Sequence, residues 1–273
     1  MSTPAPSFPT TRALVEADGA DLVTPTTTGS TNADLLAAAA EHPHGSVVAT
    51  LDQTAGRGRL DRRWSAPTGQ TLAASVLVRA PLDDRSRGWL PLVAGRAMRD
   101  AAVARWGDAA EATRASRPTV EVKWPNDVLV DGRKLCGILC QVAADGSVVV
   151  GAGVNLTVPA DALPTPTSTS LAVAGVPGEA ADLADAVLAD FRTHLLEAVV
   201  ALAAGGAAAD AVRSDVRAAC GTIGRRIRLE LPDGSVLEAD AVGVDDEGCI
   251  TIRDQDGATR PVAVGDVTHL RYA

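Results

Sequence analysis

The run VEVKWPNDVLVDGRKLCGILCQVAADGSVVVGAGVNL, residues 120–156, reads as consecutive short strands: Val120 to Lys123, Val128 to Val130, Leu135 to Val142 and Val148 to Leu156. Asp131-Gly132 and Asp145-Gly146 are pairs that accept the positive φ of a tight hairpin turn, so neighbouring strands are joined directly and the sheet is antiparallel or mixed. Upstream, Val47 to Leu51 and Thr71 to Arg79 are two more apolar runs, linked by the polar stretch Asp52 to Gln70. Trp89 to Trp106 carries Leu92, Val93, Ala97, Ala101, Ala102 and Trp106 at helical spacing, and Glu179 to Leu202 does the same with Leu183, Val187, Leu188, Phe191 and Leu195. An Ala/Leu helix follows Gly29-Ser30-Thr31-Asn32, where Ser30, Thr31 or Asn32 can cap it. Helices on both sides of such a strand series predict an α+β domain, a mixed or antiparallel sheet flanked by helices.

From Gly221 the texture changes. Arg225 to Leu231, Val236 to Val242, Cys249 to Arg253 and Thr259 to Val264 are short strands separated by Asp233-Gly234, Glu247-Gly248 and Asp256-Gly257, which predicts a small β-barrel. The organisation expected is an N-terminal extension over residues 1–28, partly disordered, a main domain over 29–217 and the barrel over 218–273. The first residues lack the basic and apolar regions of a secretory signal. The apolar stretch Ala198 to Val212 is interrupted by Gly205-Gly206 and is shorter than a bilayer span, so a cytoplasmic protein without membrane contact is expected. The chain of 273 residues carries a formal charge of −9. Its averaged field repels polyanions, so any anion site must be local. Cys136, Cys140, Cys220 and Cys249 form no Cys-x-x-Cys pair and read as small core residues rather than a zinc site.

One local anion site is visible. Asp52 to Trp64 places Arg57, Arg59, Arg62 and Arg63 among Gly56 and Gly58. Glycine lets backbone N–H groups approach a phosphate, guanidinium supplies paired donors that stay charged, and Trp64 offers a flat face to a ring. The same loop, read alone, equally suits an RNA-binding segment or a solvated basic loop. Downstream, Lys123-Trp124-Pro125-Asn126-Asp127 ends a strand in a turn, and Lys134 follows the next tight turn in Gly132-Arg133-Lys134-Leu135. Lysines on adjacent hairpin segments can converge on one anion and stabilise charge developing on a phosphoryl or carboxyl oxygen.

These segments, together with Gly29-Ser30-Thr31-Asn32, Lys134-Leu135-Cys136-Gly137-Ile138-Leu139 and Gly151-Ala152-Gly153-Val154-Asn155-Leu156, occur in an order and spacing that resembles the biotin protein ligases across nearly the whole chain. The resemblance implies a fold of the class II synthetase and biotin/lipoate ligase type with an SH3-like C-terminal barrel. It also implies a two-step reaction in which ATP activates biotin as biotinyl-5′-AMP, with Mg²⁺ accompanying the nucleotide, and a lysine of a biotin carboxyl carrier domain then receives the biotinyl group.

By the same resemblance Ser30, Thr31, Asn32 and Gln53 contact the biotin rings, and Arg57, Gly58 and Arg59 close over biotin and the adenylate phosphate. Lys134 is expected at the carboxyl and α-phosphate oxygens, assisted by Lys123, with Arg59 the third catalytic group. Arg62, Trp64, Asn126, Asp127 and Asn155 complete the nucleotide side, and no metal ligand is assigned. The arginine loop is expected to order over the ligand as a lid, at a cost of about 1–2 kcal/mol per ordered residue. Asp61 stands where many relatives have a third glycine. Only 28 residues precede Gly29, so the DNA-binding helix-turn-helix of repressor members is not expected. The competing readings are a lipoate or octanoate ligase of the same superfold and a non-catalytic nucleic-acid or adaptor protein.

Overall fold

The computed structural model describes residues 6–59, 62–64, 67–107 and 117–270. A seven-stranded mixed sheet forms the body, in the order β1-β2-β5-β9-β8-β7-β6. Its strands are β1 (Leu22–Val23), β2 (Val47–Thr50), β5 (Thr71–Val78), β6 (Val120–Lys123), β7 (Asp127–Val130), β8 (Arg133–Val142) and β9 (Val148–Asn155). The two-residue strand β1 runs parallel to β2, and every other pairing is antiparallel. The hairpin series read from residues 120–156 therefore supplies four of the seven strands, β6 to β9.

Strand alternation divides the two faces. Leu72, Ala74, Val76 and Val78 of β5 and Val148, Val150, Ala152 and Val154 of β9 join one core with Trp89, Leu92, Met98, Phe191 and Leu195. Those partners lie on α3 (Asp84–Val103) and α4 (Ala180–Ala204), which pack together over the sheet. The side chain of Asp83 caps α3 by accepting from Ser86 N at 2.7 Å, a contact worth about 1 kcal/mol. The other face carries α2 (Thr31–Ala37), whose Leu35 packs on Val48, Leu77 and Val149. Beyond α2 that face is almost bare of side chains. Gly137 of β8 pairs with Gly153 of β9, which pairs with Ala73 of β5, and the next row is Leu139, Gly151 and Ser75.

Within the described part of the N-terminal extension one helix forms. Pro9–Ala17 is a helix, α1, with Phe8 and Val15 buried. Its first amides, Thr10 N and Thr11 N, donate to the Asp185 carboxylate of α4, each at 2.9 Å. A helix N-terminus capped from a distant helix is invisible to local pattern reading.

Helix α5 (Gly206–Ala219) leads to β10 (Arg226–Glu230), β11 (Val236–Val244), β12 (Ile250–Arg253), β13 (Thr259–Val262) and β14 (Asp266–His269). They form an antiparallel sheet in the order β13-β12-β11-β10-β14. The expected barrel is thus an open five-stranded sheet, because the edge strands β13 and β14 each pair on one side only among the described residues. Gly88 and Gly248 let its 245–248 turn approach the body closely: a Cβ on Gly88 would lie 2.4 Å from Glu247 O. Trp89 and Trp124 fasten it by donating their indole N–H groups to Asp246 O at 2.8 Å and Gly248 O at 3.0 Å.

Candidate active site

The bare face of the sheet is the floor of a cavity of about 490 Å³, a size suited to a small-molecule ligand. At one end the groups are short and uncharged. Ser30 caps α2, its Oγ accepting from Ala33 N at 3.4 Å. Thr31 N donates to Gln53 Oε1 at 2.9 Å, so the two biotin-contact candidates meet although 22 positions apart in sequence. Asn32 Nδ2 donates to Leu139 O at 3.1 Å and Gln141 Oε1 at 2.9 Å. Gly151 makes room for it, since a Cβ there would lie 2.0 Å from Asn32 Oδ1.

The other end is cationic. Lys123 and Asp127 face each other across the β6–β7 hairpin, with Nζ 3.9 Å from Oδ2. An irregularity in the β7–β8 register between Val128 and Leu129 sets Lys134 opposite Leu129, and its Nζ reaches Asp127 Oδ1 at 2.7 Å. One carboxylate thereby holds two lysines. Burial pushes the Lys123 ammonium below the usual lysine range, partly offset by Asp127 and Asp266, while Lys134 and Arg62 push the same way as burial. Asn126 donates to Ile138 O at 2.6 Å and accepts from Arg59 at 3.3 Å, tying the hairpin turn to the arginine loop.

That loop is a small ribbon here. β3 (Gly56–Arg57) pairs with β4 (Arg63–Trp64), and Gly58 N donates to Arg62 O at 2.6 Å. Trp64 lies across the glycine floor: a Cβ on Gly153 would be 2.7 Å from its indole, and Lys134 Nζ is 5.9 Å from the ring centroid. Arg62 pairs with Asp266 of β14. Asp61 lies outside the described residues.

Every residue that the resemblance assigned to biotin or the nucleotide lines this one cavity, including Arg57 and Gly58 of the ribbon and Asn155, whose Nδ2 donates to Thr169 O at 2.9 Å. Other lining residues escaped that reading. Thr165, Thr167 and Ser168 come from the loop after β9, and Arg228, Glu230 and Asp266 from the C-terminal sheet. Nothing in a short solvent-facing strand marks which side chains will meet a distant pocket. Ser75, behind the floor, had a signal: it is the only strong polar group within the apolar run Leu72 to Val78. Among the described residues no three His, Cys, Asp or Glu side chains converge as a metal site. The carboxylates at the cavity are Asp127, engaged by lysines, and the cross-strand pair Glu230 and Asp266.

A family profile described as the biotin/lipoate A/B protein ligase family matches residues 21–157, and one described as the biotin protein ligase C terminal domain matches residues 222–270. A biotin–[acetyl-CoA-carboxylase] ligase of Mycobacterium tuberculosis is 38% identical over 250 residues, covering 89% of this chain and 87% of that one. The chain belongs to the biotin/lipoate A/B protein ligase family. Its fold is shared with a biotin protein ligase from Aquifex aeolicus in complex with biotin and ATP, at a TM-score of 0.66 and 22% identity over 92% of this chain and 99% of that one. A Leishmania major biotin protein ligase in complex with biotinyl-5-AMP matches at a TM-score of 0.56 and 25% identity over 89% and 96%. In this ligase the two matched segments meet at the cavity, the first supplying Lys134 and Trp64 and the second Arg228 and Asp266.

Proposed function

We propose that this ligase activates biotin with ATP and attaches it to a lysine of a biotin carboxyl carrier domain. A biotin carboxylate oxygen attacks the α-phosphorus of ATP, the bond to the β-phosphate oxygen breaks, and pyrophosphate leaves biotinyl-5′-AMP behind. The uncharged amine of the carrier lysine then attacks the acyl carbon, AMP departs, and the amine loses a proton as the amide forms. No enzyme nucleophile takes part, so catalysis is positioning and charge stabilisation. Lys134 and Lys123 face the carboxyl and α-phosphate oxygens; Arg57, Arg59 and Arg62 hold phosphate; Trp64, Asn126 and Asn155 border the nucleotide; and Asp127 keeps the lysines apart and oriented. Mg²⁺ accompanies the triphosphate and offsets its charge. Asp127 and Asp266 already hold Lys134 and Arg62, so the ion would ride with the nucleotide rather than in a protein cage and would supply charge neutralisation there.

The observation that carries the reading is one cavity with a neutral hydrogen-bonding end and a cationic end, which suits a molecule with a polar ring at one terminus and a carboxylate at the other. Octanoate and the dithiolane of lipoate carry no N–H donor for the Thr31 hydroxyl and no carbonyl for the Gln53 amide, so they forgo the hydrogen bonds that this end offers. In the described residues no helix is long and apolar enough to cross a membrane. With four free thiols and a need for ATP, we place the reaction in the cytoplasm. The test is to mix the protein with ATP, Mg²⁺ and a carrier domain, supply biotin, lipoate or octanoate in turn, and record the carrier's mass. Addition of biotin alone is expected; acylation by octanoate or lipoate instead overturns the assignment.

A further inference from the structure

Behind the neutral end, Ser75 is fully buried on β5 and touches two groups that line the cavity: its Oγ is 2.8 Å from Thr31 Oγ1 and 2.6 Å from Asn32 Oδ1. A serine hydroxyl has one proton, so it can donate to only one of them. Asn32 decides which. The backbone carbonyl of Leu139 can only accept, so the amide edge facing it must be Nδ2, and the Asn32 oxygen must point at Ser75. A carbonyl oxygen cannot donate, so Ser75 gives its proton to Asn32. The Thr31 hydroxyl has two acceptors, Ser75 Oγ at 2.8 Å and Gln53 Oε1 at 3.3 Å, and the shorter contact, inside the usual O–H···O range, takes its proton. What Thr31 has left for the cavity is lone pairs. Gln53, whose Oε1 accepts from Thr31 N, has its Nε2 left as a donor.

We infer that Ser75 is a positioning residue that sets the hydrogen-bond polarity of the neutral end, holding Thr31 as an acceptor so that the site selects ligands presenting a ring N–H there. The inference rests on the biotin reading and deepens it. Ser75 does not line the cavity and acts through Thr31 and Asn32 alone. In a variant lacking the Ser75 hydroxyl, Thr31 keeps only the longer 3.3 Å contact to Gln53 Oε1, its own hydroxyl can turn to the ligand, and the polarity requirement relaxes.

The experiment measures binding of biotin and of the two cyclic carbamates in which either ring N–H is replaced by oxygen, a swap that keeps shape and removes one donor. Wild-type protein is expected to prefer biotin over one carbamate. In Ser75→Ala that preference should fall about tenfold, the worth of one hydrogen bond, with the KM for ATP unchanged. Thr31→Val should lose the same preference, and adding Ser75→Ala to it should change that preference no further. Should Ser75→Ala not fold, Ser75→Cys keeps the size and weakens the donor. An equal loss for biotin and both carbamates, or no loss at all, overturns the inference while leaving the ligase reading intact. Failure of the wild type to bind biotin overturns the ligase reading itself.

Discussion

At the neutral end of the cavity Thr31, Asn32 and Ser75 are 3%, 6% and 0% exposed and hold one another through contacts of 2.6 and 2.8 Å. At the cationic end Lys123 and Lys134 keep 21% and 35% of their side chains exposed and share a single carboxylate, Asp127. The neutral end is a fixed pattern of donors and acceptors that loses almost no freedom when a ligand arrives. The cationic end is made of long, partly free side chains, which suits a place where charge changes: a carboxylate and triphosphate enter, pyrophosphate leaves, and an anhydride remains. Recognition and chemistry are thus built from different materials at the two ends of one floor.

The comparison breaks most sharply at Lys134. Lys134→Ala removes the charge 2.7 Å from Asp127 Oδ1, and biotin-dependent pyrophosphate exchange should fall by about 10²–10³-fold, the usual loss when one donor to a developing oxyanion is deleted. Biotin binding should stay within a few-fold. Near-normal exchange would show that the cationic end is not where the chemistry is done. Gly151→Ala attacks the other end, because its Cβ would lie 2.0 Å from Asn32 Oδ1 and Asn32 is held from three sides. Overpacking of this kind costs about 1–3 kcal/mol. It should appear as a raised KM for biotin with kcat retained; a change confined to kcat contradicts the division of labour.

The two ends were not equally legible in sequence. Taken singly, Lys123, Asp127 and Lys134 read as surface charges beside tight turns, and they stand out because their segments occur in order and spacing with the arginine loop. Thr31 and Asn32 read equally well as the start of a helix, and Ser30 is indeed its cap. Only the fold brings them against Gln53 and the glycine rows. The Asp-Gly turns disclosed the hairpins, but the place of α1 depends on Asp185, some 175 positions away in the chain, and the open C-terminal sheet depends on which edges pair. Long-range partnerships leave no local pattern. Arg228, Glu230 and Asp266 were missed for that reason.

A smaller effect is expected where the arginine ribbon meets the hairpin turn. Arg59→Gly removes the contact to Asn126 Oδ1 and should loosen the ribbon over the adenylate, raising labelling of bystander lysines several-fold while carrier labelling continues. Mass spectrometry of a mixture of carrier and an unrelated lysine-rich protein measures this. Labelling confined to the carrier would remove the shielding role from the ribbon. Biotin-dependent hydrogen-exchange protection of residues 54–59 and 62–64 sharpens the same point.

The last difference is in pH response. Behind the cationic end His269 sits 3.0 Å from Thr222 Oγ1, and Thr222 in turn accepts from Trp124 N at 3.0 Å. Burial, then Arg225 and Lys123, push the imidazole from 6.5 down to about 4. Between those values the unfolded chain binds the proton and the folded one does not, so stability rises with pH across the window. It is fully present above 6.5 and lost as pH falls toward about 4. The urea midpoint of the wild type should therefore drop between about pH 7.5 and about pH 5 by more than that of His269→Gln, which has nothing to protonate. Ser30, Thr31, Asn32, Gln53, Ser75 and Gln141 contain no titratable group, so the folded protein's preference for biotin over its ring carbamates, which reads the neutral end alone, should stay level over the same interval. Equal drops in both proteins would mean that burial of His269 is not what weakens the protein toward low pH, and a falling preference would mean that the neutral end is not insulated from the charges beside it.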